Sequence, residues 1–226
     1  MNLWGCVIIS YMNFRLNIPL NTSAEQAARL QALQTAFAEV CNALAPVVQQ
    51  TRCWNRVALH HLTYRMLRER FPQMGSQMVC NAIYSVSRTC RLILQHANSP
   101  WNVDKRPEQA LPLVRFLPSA PVYFDRHTLS IKGGQLSMYT LDGRMRFQID
   151  LKPEDLARFQ QEKLREIVLT KAGQGYQLSF WFSSADDRED ARGEESAASA
   201  DFPEYVVVVA AEDMETEKTK ELESVL

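Results

Sequence analysis

The 226-residue chain predicts an α+β fold: a small antiparallel β-barrel, closed or half-closed, with a helical bundle inserted after its first strand and an acidic C-terminal tail. Three observations predict it. An alternating strand pattern lies before residue 20, three helical stripes follow between residues 22 and 95, and short strands with turn residues crowd residues 122–182. The implied organisation is residues 1–20 for the opening of the barrel, 21–100 for a helical domain, 101–183 for the rest of the barrel, and 184–226 for the tail.

Phe14, Leu16 and Ile18 alternate with Asn13, Arg15 and Asn17, so residues 6–18 read as a half-buried strand that Pro19 ends. Thr22-Ser23-Ala24-Glu25 reads as a capping box opening a helix. Leu30, Leu33, Phe37, Val40 and Leu44 then recur at spacings of three and four, one core-facing stripe with Pro46 near its end. A second helix runs from about Trp54 to Arg70, with Leu59, Leu62 and Met66 toward the core, and stops at Phe71-Pro72. Ser76 is the expected N-cap of a third helix, whose buried stripe is Val79, Ile83, Val86, Cys90 and Ile93. Gln77, Asn81, Tyr84, Arg88 and Arg91 fall mostly on its other faces.

Residues 96–121, with five prolines, read as loop. Val122–Phe124, Thr128–Ile131, Leu136–Thr140 and Met145–Ile149 follow as one antiparallel meander, turned at Gly133-Gly134 and Asp142-Gly143. Pro153-Glu154-Asp155 opens a short helix to about Glu162. Glu166–Lys171 and Tyr176–Phe182 form a last hairpin around Gly173 and Gly175, and either face of it can be the core one. From Ser183 the chain turns to Asp, Glu, Ser and Ala and is expected to be disordered, apart from a lone apolar strand at Tyr205–Ala211 and a charged end.

A net charge of −1 hides an asymmetry. Residues 1–170 carry 20 Lys and Arg against 12 Asp and Glu, or +8; residues 171–226 carry 5 against 14, or −9. Between Thr51 and Gln95 stand seven arginines, no lysine and one acid, Glu69, a net +6. Arginine forks suit phosphates and base edges, and the interleaved Trp54, His60, His61, Tyr64 and Tyr84 can stack on bases. A basic body with an acidic tail points to a polyanion partner, the tail either solvating or competing. The same basic stretch also reads as the solvated face of a core helical hairpin.

Other classes find no support. The five cysteines form no CxxC, and their odd count suits buried thiols in a reducing, cytoplasmic setting. MNLWGCVIIS lacks a basic n-region, and its apolar run is too short for a membrane span. No phosphate loop, GxGxxG, HExxH or GxSxG occurs. Adjacent His60 and His61 point about 100° apart on a helix and do not make a metal pair. No cofactor or metal is expected.

Two strings carry a family resemblance. LHHLTYRMLRERFPQMGSQMVCNAIYSVSRTCR resembles the helical recognition segment of the transposon-encoded TnpB (OrfB) family, whose relatives gave rise to the type V CRISPR effectors. Tyr64, Arg68, Phe71, Pro72, Ser76, Gln77 and Met78 follow its order: a Tyr, an Arg-rich turn, a Phe-Pro break, then Ser-Gln-Met opening a long helix. YFDRHTLSIKGGQLSMYTLDGRMRFQI is similar to its wedge domain, an OB-like barrel, through Tyr123, Asp125, Leu129, Leu136, Leu141, Gly143 and Arg144. The opening strand and first helix also follow its plan.

The resemblance implies a structured guide RNA on the barrel and a double-stranded DNA target along the helices. Gln77 and Asn81 would be placed to read adenine edges, though both also read as plain amides near a helix start. With the basic stretch, it makes Arg52, Arg56, Tyr64, Arg65, Arg68, Arg70, Ser76, Gln77, Asn81, Tyr84, Arg88, Arg91 and Arg144 the candidate nucleic-acid contacts. The likeness covers residues 11–182 and stops before the RuvC-like nuclease. Glu212-Asp213-Met214 lacks the glycine expected after the first catalytic Asp, thirteen residues follow Asp213, and no zinc-ribbon pair is present. The expectation is a binding protein rather than an enzyme. The alternatives are an interaction subunit for a separately encoded nuclease and a decayed transposon product.

Overall fold

The computed structural model describes residues 14–183 and 203–210. In chain order these form β1 (Phe14–Leu20), α1 (Ala24–Thr51), α2 (Arg56–Arg70), α3 (Ser76–Gln95), β2 (Leu113–Phe116), β3 (Val122–Phe124), β4 (Leu129–Lys132), β5 (Gln135–Thr140), β6 (Gly143–Gln148), α4 (Pro153–Gln161), β7 (Lys163–Ala172), β8 (Gly175–Ser183) and β9 (Val206–Val209). The fold is α+β. Its strands make three antiparallel sheets, ordered β1-β8-β7-β3, β2-β9 and β4-β5-β6, and none closes into a barrel among the described residues.

Pro19 does not end the first strand: β1 runs through it to Leu20, with Pro19 opposite Gln177. β1 lies at the sheet edge, where a missing N–H breaks no ladder. The first helix is capped one residue later than predicted. The Ser23 hydroxyl accepts from the Gln26 N–H at 3.2 Å and the Gln26 amide accepts from the Ser23 N–H at 3.0 Å. Its predicted stripe is fully buried. The helix passes through exposed Pro46 and ends only at Arg52, whose φ of 52° is left-handed.

On α2 the buried ridge is Leu59, Thr63 and Leu67, at i, i+4 and i+8; Leu62 is 58% exposed and Met66 36%. The face is therefore rotated from the predicted one. Thr63 tolerates burial because its hydroxyl donates to the Leu59 carbonyl at 2.6 Å. The N-cap of α3 is Gly75 rather than Ser76, which is the first helical residue. The predicted α3 stripe is buried throughout.

The proline-rich stretch conceals a strand, pinned along α1 by side chains. Arg52 donates to the Pro107 and Gln109 carbonyls, Gln49 to Leu111 at 2.9 Å, and Gln34 to Ala120 at 3.2 Å. Asn42 pairs with both backbone groups of Phe116, donating at 2.9 Å and accepting at 2.7 Å. The helix thus stands where a neighbouring strand would. The other edge of β2 takes β9, from Leu113↔Val209 to Phe116↔Val206, so the tail strand is paired and not alone.

The predicted meander holds for β4, β5 and β6. Its first turn is the two-residue loop Gly133-Gly134, both at positive φ (57° and 72°), which glycine adopts without strain. β3 leaves the meander and pairs with β7, Val122↔Leu169. Asp125 turns the chain between β3 and β4, its Oδ1 accepting from the His127 and Thr128 N–H groups at 3.0 Å each. On β8 the core face is settled: Phe180 and Phe182 bury against Phe159 of α4, and Trp181 points the other way. One continuous core joins α1, α3 and the sheets. The predictions for residues 6–13, for the disorder of 184–202 and for the charged end at 211–226 lie outside the described residues.

Candidate nucleic-acid interface

The predicted interface divides into groups engaged inside the fold and groups facing solvent. α3 lies against β3 and β7 through its polar residues. Asn81, buried, donates to the Tyr123 carbonyl at 3.1 Å, and Gln77 donates to the Asp125 carboxylate at 2.5 Å. The Tyr84 hydroxyl donates to Glu166, and Arg88 meets the same carboxylate at 3.2 Å. Burial, then the Glu166 charge, pushes the Tyr84 phenol well up, so it stays protonated. Arg56 stacks over the Tyr84 ring at 5.1 Å, and Arg68 donates to the Met74 carbonyl across the turn that joins α2 to α3. Arg52 is tied to the 107–109 backbone. These side chains hold helices to sheet and loop.

Half of the helical set is exposed all the same: Arg52, Arg56, Arg65, Arg70, Ser76 and Arg91. Arg65 is 94% exposed, with Glu69 at 3.1 Å one turn on. Arg70 lies over Phe71, Arg91 and Ser76 face solvent, and Tyr64 stacks on His60 with ring centroids 4.7 Å apart. Cys80 stays a neutral thiol, raised by burial against the lowering influence of Arg56.

Arg144 belongs to a surface that reading the helices did not reveal. In β4–β6, Leu129, Leu136, Met138, Met145 and Phe147 point to the core. The alternate positions, Ser130, Lys132, Gln135, Ser137, Tyr139, Arg144, Arg146 and Gln148, therefore share the outer face. No acid stands among them. Arg144 lies directly across from Tyr139, its guanidinium 4.2 Å from the ring centroid. It is held there by bonds to the Ser137 hydroxyl at 3.2 Å and the His127 carbonyl at 3.3 Å. The signal in the sequence is the pair Arg144 and Arg146 at alternate positions of one strand, with the apolar Met145 and Phe147 between and after them.

The chain matches no family model and no curated protein. Among the described residues no helix is long and apolar enough to cross a membrane. No group of three His, Cys, Asp or Glu among them is placed to hold a metal ion.

Proposed function

We propose that the chain is a nucleic-acid-binding module resembling the front half of TnpB proteins, without their nuclease. Its wedge-like part would hold a structured guide RNA, with Arg65, Arg70 and Arg91 facing a duplex target. The observation that carries the reading is the acid-free outer face of β4–β6, where Arg144 lies opposite exposed Tyr139, Arg146 stands next along β6, and Lys132 marks the far end of the face. Fixed cations neutralise phosphates and release counterions, while an aromatic ring offers a sequence-tolerant stacking surface. The described residues carry 21 Lys and Arg against 13 Asp and Glu, a net +8, which favours the same partner.

Fluorescence anisotropy with labelled RNA over a salt series tests this. The double variant Arg144→Gln, Arg146→Gln is expected to bind about tenfold more weakly, with a log–log salt slope shallower by about 2. Unchanged affinity and slope would remove the sheet face from the interface.

A second reading, a subunit docking on a separately encoded nuclease, draws on α2. Leu62 and Met66, four residues apart and 58% and 36% exposed, leave apolar surface along one flank of its buried ridge. Under that reading Leu62→Asp abolishes nuclease association while RNA affinity stays unchanged.

A further inference from the structure

The sheet β1-β8-β7-β3 has a second face, away from the core. α3 covers its β3–β7 half through Tyr84 and Tyr123, whose rings meet edge to face at 5.5 Å. Among the described residues the β8–β1 half stays open, and Trp181 stands on it, 36% exposed. Arg15, directly opposite on β1, lays its guanidinium over the Trp181 ring at 5.0 Å.

This guanidinium is fixed. Its Nε donates to Asn17 at 2.8 Å and its Nη2 to Ser179 at 3.0 Å, and the Ser179 hydroxyl in turn donates to Asn17 at 2.8 Å. Nη1 has no hydrogen-bond partner among the described residues, and Arg15 is exposed. Two further cations border the ring. Lys163 pairs with Ser183 on this face, and Arg165 sits at the register shift between Leu164 and Glu166. That bulge turns Arg165 toward Trp181's side of the sheet, where its Nε donates to the Ser183 hydroxyl at 2.6 Å. The acid on the ledge, Glu166, is already engaged by Arg88 and Tyr84.

We infer that this ledge is a single-strand site, binding an unpaired nucleotide with its base stacked on the Arg15–Trp181 pair and its phosphate on Nη1 of Arg15 and on Lys163. An arginine fixed over an indole adds a guanidinium plane to the ring face that a base can stack on, and has already lost the freedom that binding would otherwise cost. A duplex offers no free base face to such a stack, so the ligand is single-stranded DNA or RNA. The site lies on a different sheet from the Arg144 surface and deepens the nucleic-acid reading on which it rests.

Oligothymidine titrated into the full chain, read by tryptophan fluorescence and by anisotropy, tests the site. The wild type is expected to quench, and Trp181→Leu to lose that quench. Arg15→Gln and Trp181→Leu should each weaken oligothymidine binding at least about fivefold. Structured RNA, bound through Arg144 and Arg146, should keep its affinity in both variants, and unchanged circular dichroism shows that they fold. Structured-RNA binding by the wild type with no oligothymidine quench, or equal oligothymidine affinity in all three proteins, overturns the ledge alone. A wild type that binds neither ligand overturns the nucleic-acid reading along with it.

Discussion

At the scale of single residues, side-chain amides do most of the joining. Asn42 satisfies the N–H and the carbonyl of Phe116 together, a task that ordinarily falls to an adjacent strand. Asn42→Ala is expected to destabilise the fold by about 1–3 kcal/mol, since it leaves backbone groups unpaired at a partly buried place. The urea midpoint reads this directly, and Asn42→Asp, which keeps the acceptor alone, should fall between. Gln77 and Asn81 show why such roles resist reading from sequence. An amide that can pair with adenine can equally pair with Asp125 or the Tyr123 carbonyl. The residue type announces a recognition capacity, and only the fold shows what it recognises.

At the scale of elements, apolar periodicity located all three long helices but did not settle how α2 is rotated. Leu62 and Met66 fit the 3.6-residue template as well as Leu67 does, and a threonine looks like a poor core residue until its hydroxyl finds the Leu59 carbonyl. The two leucines separate by experiment. Leu67→Ala should cost about 2–5 kcal/mol by chemical denaturation, whereas Leu62→Ala should stay within about 0.5 kcal/mol. β2 escaped notice for a different reason. Its partners are helix side chains on one edge and a strand about ninety residues away on the other, and neither leaves a local pattern. The β4–β6 meander was legible because its turns are chemically explicit, with glycine where φ is positive. Its basic outer face, most of the candidate site, was implicit in the same alternation.

At the scale of the whole molecule, buried thiols make stability fall at alkaline pH. Burial pushes the Cys90 thiol from 9.0 up to about 12 and raises Cys41 further. The fold keeps these protons after the unfolded chain has released them. The stabilisation from the neutral thiols is therefore complete below pH 9 and is lost as pH rises from 9 through the folded-state range of each group, about 12 for Cys90 and higher for Cys41. Urea midpoints measured across that range should fall, and Cys90→Ala should flatten the decline. The late arrival of β9 has a consequence in time as well as in space. A ribosome must add the stretch from Phe116 to Val206 before β2 can be covered, on the order of 5–20 s at ordinary elongation rates. Throughout that interval α1 guards one margin of β2 while the other stays bare, so the nascent polypeptide is open to chaperone capture, or to sticking to its neighbours on the same message, until β9 arrives.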